Sequence, residues 1–189
     1  MQDLLDDRRR RECAALSDLL SYPREDLSAV ARRAAALAGW GSAEAAALSR
    51  FAADVEGLSP GELEELYTST FDVEPACVPY VGVQLLGDGE TLRGLLLAKL
   101  AELYEHEGYT PREELPDHVA EVLGFLALAT PGAPRDDLVR DGLLPALGKM
   151  VDALEERGNP YREVLAAARE LLAPLDAVAG ARAAVEVRP

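Results

Sequence analysis

From Leu4 to Leu172 the apolar residues return every three or four positions, and the interruptions of that rhythm fall on glycine and proline. Apolar side chains at this spacing share one face of a helix, whereas a half-buried strand would alternate every second residue. The chain is therefore expected to be all-helical. With 189 residues, 49% of them hydrophobic, it is long enough to bury one core and too short for two comfortable ones. The expected layout is a single helical domain over residues 1–175, followed by a loosely ordered tail over 176–189.

The predicted helices run from Leu4 to Tyr22, Glu25 to Ala38, Ala43 to Val55, Pro60 to Phe71, Thr91 to Glu107, Asp117 to Ala129, Asp136 to Glu156 with a kink or division at Pro145, and Asn159 to Leu172. The clearest start signal is Ser59-Pro60-Gly61-Glu62. There serine can cap, proline suits the first helical position and glutamate can reach back to the cap, with Leu58 and Leu63 as an apolar staple across it. On the Thr91 to Glu107 helix, the leucines at 92, 95, 96, 100 and 103 suggest a central element, which ends at Gly108. The segment from Asp72 to Gly89 is the one long irregular connection, and long ordered connections commonly carry function.

Composition narrows the function. Thirty-four acidic against nineteen basic side chains give a formal charge of −15, which repels phosphate backbones, so nucleic acid is not expected as a partner. No apolar run approaches the ~18 residues of a membrane span. The arginines at 8–11 invite a twin-arginine export reading, yet Ser17 and Asp18 interrupt the apolar stretch that should follow, and the segment reads better as an amphipathic helix. A cytoplasmic protein is expected. Cys13 and Cys77 have no partner-like spacing and suit reduced thiols, though sequence leaves their pairing open.

Catalytic and cofactor constellations are sparse. The two histidines, His106 and His118, fall in neither a zincin nor a di-iron spacing, so no metal is expected. Gly87-Asp88-Gly89 follows a strand-like run, Val78 to Leu86, and opens a helix, but Leu92 stands where a dinucleotide turn needs its third glycine and no Walker lysine follows. Neither a catalytic centre nor a bound cofactor is expected.

Five segments occur in an informative order: YTSTFD at Tyr67 to Asp72, Cys77 to Tyr80, GDGETLRG at Gly87 to Gly94, LYEHEGY at Leu103 to Tyr109, and ELPDHVAEVLGFLA at Glu114 to Ala127. This set resembles the TorD/DmsD/NarJ family of redox-enzyme maturation proteins, and most closely its nitrate reductase assembly chaperones. The resemblance implies an all-helical fold whose groove holds the N-terminal leader of a molybdoenzyme large subunit while molybdopterin guanine dinucleotide is inserted, before membrane docking. It implies a protein without catalytic activity, occurring as a monomer or a swapped dimer.

Carried over by motif, Tyr67, Phe71 and Asp72 close the first groove helix, Pro79 and Tyr80 lie in the loop beside it, and Leu115, Pro116, Asp117 and His118 form a signature turn. Gly124 departs from the family pattern, which often has glutamate there. Each residue also has a structural reading. Asp117 can cap its helix through the Ala120 amide, His118 can be a core-edge histidine, and Tyr67 and Phe71 sit on a stripe where core packing is the default. Two rival readings are a generic helical adaptor or oligomerisation module, and a small nucleotide-binding protein that uses the Gly87 to Gly89 turn.

Overall fold

The structure, a computed structural model, describes residues 5–87 and 90–186. Helix α1 spans Asp7–Leu19, α2 Leu27–Ala38, α3 Ala43–Asp54 and α4 Pro60–Phe71. A short α5, Val81–Leu86, precedes α6, Glu90–Glu107, and α7, Val119–Leu126. The chain closes with α8, Ala133–Asp137, a π-helical stretch Leu138–Leu143, α9, Leu144–Glu155, and the long α10, Tyr161–Glu186. No strand occurs among the described residues, so the protein is all-helical.

The caps explain why the helices begin where they do. Side chains of Asp6, Asp26 and Ser42 accept from backbone amides three residues on and start α1, α2 and α3. At α4 both halves of the capping box form: Ser59 N donates to Glu62 Oε2 at 2.8 Å and Glu62 N to Ser59 Oγ at 3.4 Å. These bonds satisfy two of the four amides that every helix start leaves without a partner. Gly108 closes α6 in the left-handed region at φ 73°, where a side chain would be strained.

One apolar cluster joins α1, α2, α3, α7, α9 and α10. Leu5, Leu16, Leu19 and Leu20 are buried, as are Leu48, Phe51, Ala52 and Val55, in keeping with their spacing. Phe51, Tyr67 and Phe71 surround Tyr161, with ring centroids 5.3, 6.1 and 4.9 Å from it. Asn159 supports this cluster by capping α10 at the Tyr161 amide and donating from Nδ2 to Thr70 Oγ1 of α4 at 2.7 Å.

Three expectations are corrected. The run Val78 to Leu86 is not a strand: after a single antiparallel bridge between Tyr80 and His118 it coils into α5, with the Gln84 amide donating to the Tyr80 carbonyl. The α6 helix is peripheral in its first half, because its apolar stripe is wider than its neighbours cover, and Leu92 and Leu95 remain 60% and 58% exposed. The division expected near Pro145 is present as the π-helical stretch, since proline cannot donate to the carbonyl one turn back and the preceding turn widens.

The last helix overruns its expected end near Leu172 and continues through Pro174 to Glu186. One lost donor does not stop it, because the alanine-rich stretch beyond is favourable to helix. Of the segment 176–189 expected to be loosely ordered, residues 187–189 lie outside the described residues.

Candidate functional site

Three motif segments converge on one joint. The loop before α5 and the loop before α7 meet at the Tyr80–His118 bridge, where Val81 N donates to the Asp117 carbonyl at 2.8 Å and Val119 N to the Pro79 carbonyl at 2.9 Å. Pro79 is buried there. The Asp117 side chain, with no exposed surface, accepts from Arg93 Nε at 3.0 Å, Arg93 Nη2 at 3.1 Å and the Gly82 amide at 3.2 Å. A buried carboxylate is tolerable when its lone pairs are filled in this way.

Glycine at position 82 is required by that approach. A Cβ there would lie 2.7 Å from Asp117 Oδ2 and 3.1 Å from Arg93 Cγ. Backbone and ion pair therefore fix each other.

The cap of α7 differs from expectation. The helix starts at Val119, and His118 is its N-cap: Nδ1 accepts from the Ala120 amide at 3.2 Å. Asp117 cannot fill that role because its carboxylate turns to Arg93. Burial lowers the His118 pKa, opposed by the negative charges of Glu114, Glu121 and Asp117, so the imidazole is held neutral with the proton on Nε2.

Tyr80 forms the outer layer of the joint. Its ring meets the edge of His118 at 5.3 Å and carries the Arg93 guanidinium 5.0 Å above its centroid. Its hydroxyl donates to Glu114 Oε2 at 3.0 Å. Burial first, then the hydrogen bond and charge of Glu114, push the phenol up to about 12. Tyr67 feels Glu114 and Tyr80 as well, after burial, and is raised above the usual phenol range. Tyr67, Tyr80 and Glu114 are thus electrostatic neighbours, linking α4 to the joint.

A second buried carboxylate braces the same region. Glu121 accepts from the Tyr109 hydroxyl at 2.6 Å and from the Arg112 amide at 3.1 Å, while the Arg112 guanidinium reaches Ser17 and, at 2.8 Å, Asp18. Gly124 lies against this set; a Cβ would come 2.5 Å from the Tyr109 hydroxyl. The departure from glutamate is therefore matched by a tyrosine occupying the space.

Of the nine residues singled out in the sequence, the joint assembles Pro79, Tyr80, Leu115, Pro116, Asp117 and His118. Pro116 offers its carbonyl to the Tyr104 hydroxyl at 2.8 Å, and Leu115 accepts from the His118 amide at 2.9 Å while its side chain stays exposed. Tyr67 is buried beside it. Phe71 points instead into the aromatic cluster around Tyr161, and Asp72 is exposed at the end of α4. Sequence reasoning passed over Arg93, Glu114 and Glu121. Their signal was available: Arg93 is the one arginine in a leucine-rich stretch, and Glu121 interrupts an otherwise apolar run.

Neither free cysteine is paired, and burial pushes both Cys13 and Cys77 thiols up to about 12. Among the described residues no group of three or more His, Cys, Asp or Glu side chains is arranged to hold a metal ion. No described helix is long and apolar enough to cross a membrane.

The all-helical fold is that of a redox enzyme maturation protein. The family model described as nitrate reductase delta subunit matches residues 4–167, and the chain belongs to that family. Among solved structures, a redox enzyme maturation protein from Archaeoglobus fulgidus is similar, with 26% sequence identity and a TM-score of 0.58, over 86% of this chain and 93% of the other. A search of curated proteins returns no match.

Proposed function

We propose that this protein is a cytoplasmic assembly chaperone that binds the N-terminal leader of a molybdoenzyme large subunit, a respiratory nitrate reductase by its family, and holds it while molybdopterin guanine dinucleotide is inserted, before membrane docking. In this reading it catalyses nothing, carries no cofactor and works as a monomer or a swapped dimer. The observation that carries the reading is the convergence of motif residues on a joint whose half-buried Tyr80 is bonded to Glu114, next along the chain to Leu115 with its exposed side chain.

The nine residues then divide by role. Asp117, His118, Pro79 and Phe71 set the shape of the client surface from inside, Tyr67 and Pro116 form its wall, and Tyr80, Leu115 and Asp72 meet the client. An apolar anchor in such a surface contributes about 1.5 to 3 kcal/mol, more than the 0 to 1 kcal/mol of an exposed charge pair. Affinity should therefore rest on Tyr80 and Leu115.

The test is calorimetric titration with a synthetic peptide of the N-terminal leader of a respiratory nitrate reductase large subunit. Tyr80→Ala should weaken binding by about 2 kcal/mol, roughly thirtyfold, and Tyr80→Phe should weaken it less. A parent protein that ignores the leader sinks the reading.

The adaptor or oligomerisation alternative has its own support in Leu86, Leu92 and Leu95, which are exposed on α5 and α6. It expects self-association by light scattering that is lost in Leu92→Glu, with no preference for a leader peptide. The nucleotide alternative lacks its premise, since α5 rather than a strand precedes Gly87, and Asp88 and Gly89 lie outside the described residues.

A further inference from the structure

Between the turn that joins α1 to α2 and the start of α4 runs a groove of about 780 Å³ that shares no residue with the proposed client surface. Tyr22, Val55, Leu58, Pro60 and Leu63 give it an apolar lining, and Glu25, Asp26 and Glu64 stand along it with Arg24. A smaller hollow of about 190 Å³ adjoins it, with Tyr22, Arg24 and Glu25 common to both.

The charges in these walls are unbalanced. Three carboxylates line the larger hollow and five the smaller, Glu25 being shared, against only Arg24 and Arg112. Both guanidiniums are already engaged, Arg24 with Glu113 and Arg112 with Asp18. Asp26 is occupied as the cap of α2, and Glu25 lies 3.5 Å from the well-exposed Arg33. Glu64 acts on the Tyr22 hydroxyl, which burial first and then the charge and hydrogen bond of Glu64 raise. Tyr22 itself is 41% exposed, with its ring edge-on to Tyr67 at 5.5 Å. An apolar floor with a negative rim rejects an anionic segment by repulsion and favours one that brings a cation together with its apolar side chain.

We propose that this groove docks an amphipathic helical segment of a partner protein, seating an apolar side chain against Tyr22 and Leu63 and a lysine or arginine over Glu25 and Glu64. A helix suits it because residues three or four apart deliver one apolar and one cationic side chain to the same face. The inference goes beyond the client surface at Tyr80, and either can fail alone.

The probe is a short fluorescein-labelled synthetic peptide of leucine and lysine at helical spacing, read by anisotropy, with a leucine and glutamate twin. The parent should bind the cationic peptide saturably and ignore the acidic twin. Glu25→Gln with Glu64→Gln should weaken binding about tenfold at low salt, the scale of two exposed charge contacts, with thermal unfolding unchanged. Because the whole chain is acidic, Glu102→Gln with Glu105→Gln on exposed α6 positions removes the same charge elsewhere and should leave binding intact.

Equal weakening by the α6 pair would mean diffuse attraction and overturn the groove, as would unchanged binding in the Glu25 and Glu64 pair. The same variants titrated with the leader peptide separate the two sites: loss through Tyr80→Ala alone supports the client surface without the groove, and binding of the model peptide without the leader supports the groove without that client.

Discussion

Asp117, wholly buried before α7, and Arg93 of α6 hold each other through two hydrogen bonds of 3.0 and 3.1 Å. The pair joins two segments 24 residues apart, and the Gly82 amide completes the carboxylate's partners from a third. Removing one member of a buried pair costs about 3 to 5 kcal/mol, largely through the charge left behind. Arg93 keeps 23% of its side-chain surface exposed and can partly rehydrate, which favours the lower end.

Asp117→Ala should therefore lower stability in urea unfolding by about 3 kcal/mol. Asp117→Asn should also destabilise, since an amide offers Arg93 only one acceptor oxygen. In a double-mutant cycle with Arg93→Met, the combined loss should be clearly smaller than the sum of the two single losses. A cost near 1 kcal/mol for Asp117→Ala, the size of a lost helix cap, would return the residue to the local role that its position in the sequence suggests.

Gly82→Ala tests the same joint from the backbone. Intrinsic propensity favours alanine in a helix by about 1 kcal/mol, whereas a Cβ 2.7 Å from Asp117 Oδ2 must displace the carboxylate or the helix. The substitution should destabilise by about 2 kcal/mol, the scale of overpacking in a filled interior. Thermal melts showing a more stable variant would mean that the joint yields without cost.

Which of these relationships could be read from the sequence depends on their range. The Ser59 and Glu62 box and the turn at Gly108 were legible because their partners lie within one helical turn. Asp117 was not, because the same carboxylate that can cap a helix locally is claimed by an arginine on another element, and spacing along one segment carries no information about the other. Leu92 and Leu95 misled for a similar reason: an apolar stripe reports what a helix can bury, and only the tertiary arrangement decides how much of it is covered. The aromatic cluster swallowed Phe71, while Tyr80 stays half-buried at the bridge to His118.

His118 gives the fold an acid sensitivity with a definite sign. Its folded pKa is lowered, mainly by burial, so between that value and the unfolded value near 6.5 the unfolded chain binds more protons than the folded one. The stability contribution of the neutral ring is complete above about pH 6.5 and declines on acidification, at up to about 1.4 kcal/mol per pH unit, until the folded pKa is passed. Protonation at Nδ1 also removes the acceptor for the Ala120 amide. Glu12 works oppositely, since burial raises its pKa and its contribution falls as pH rises above the ordinary glutamate value. Comparison of the parent with His118→Asn, which retains a capping acceptor, isolates the histidine. Urea unfolding from pH 7.5 to 5 should show a shallower loss in the variant; parallel curves would remove His118 as the cause.

Tyr161 supplies the last prediction. It is fully buried among Phe51, Tyr67 and Phe71, yet its hydroxyl has no hydrogen-bond partner among the described residues. Burial raises the phenol above its usual range, and the neighbouring Tyr67 adds to the effect. A buried polar group without a partner costs about 1 to 3 kcal/mol of desolvation, while the ring contributes its full apolar area and edge contacts. Tyr161→Phe keeps the ring and removes the hydroxyl, so it should be neutral or stabilise by about 1 kcal/mol. Tyr161→Ala should cost about 3 to 5 kcal/mol through the cavity left at the centre of the cluster. If Tyr161→Phe loses more than about 1 kcal/mol in urea unfolding, the scale of a net hydrogen bond, the hydroxyl has a partner in solution and the cluster is held by more than ring packing.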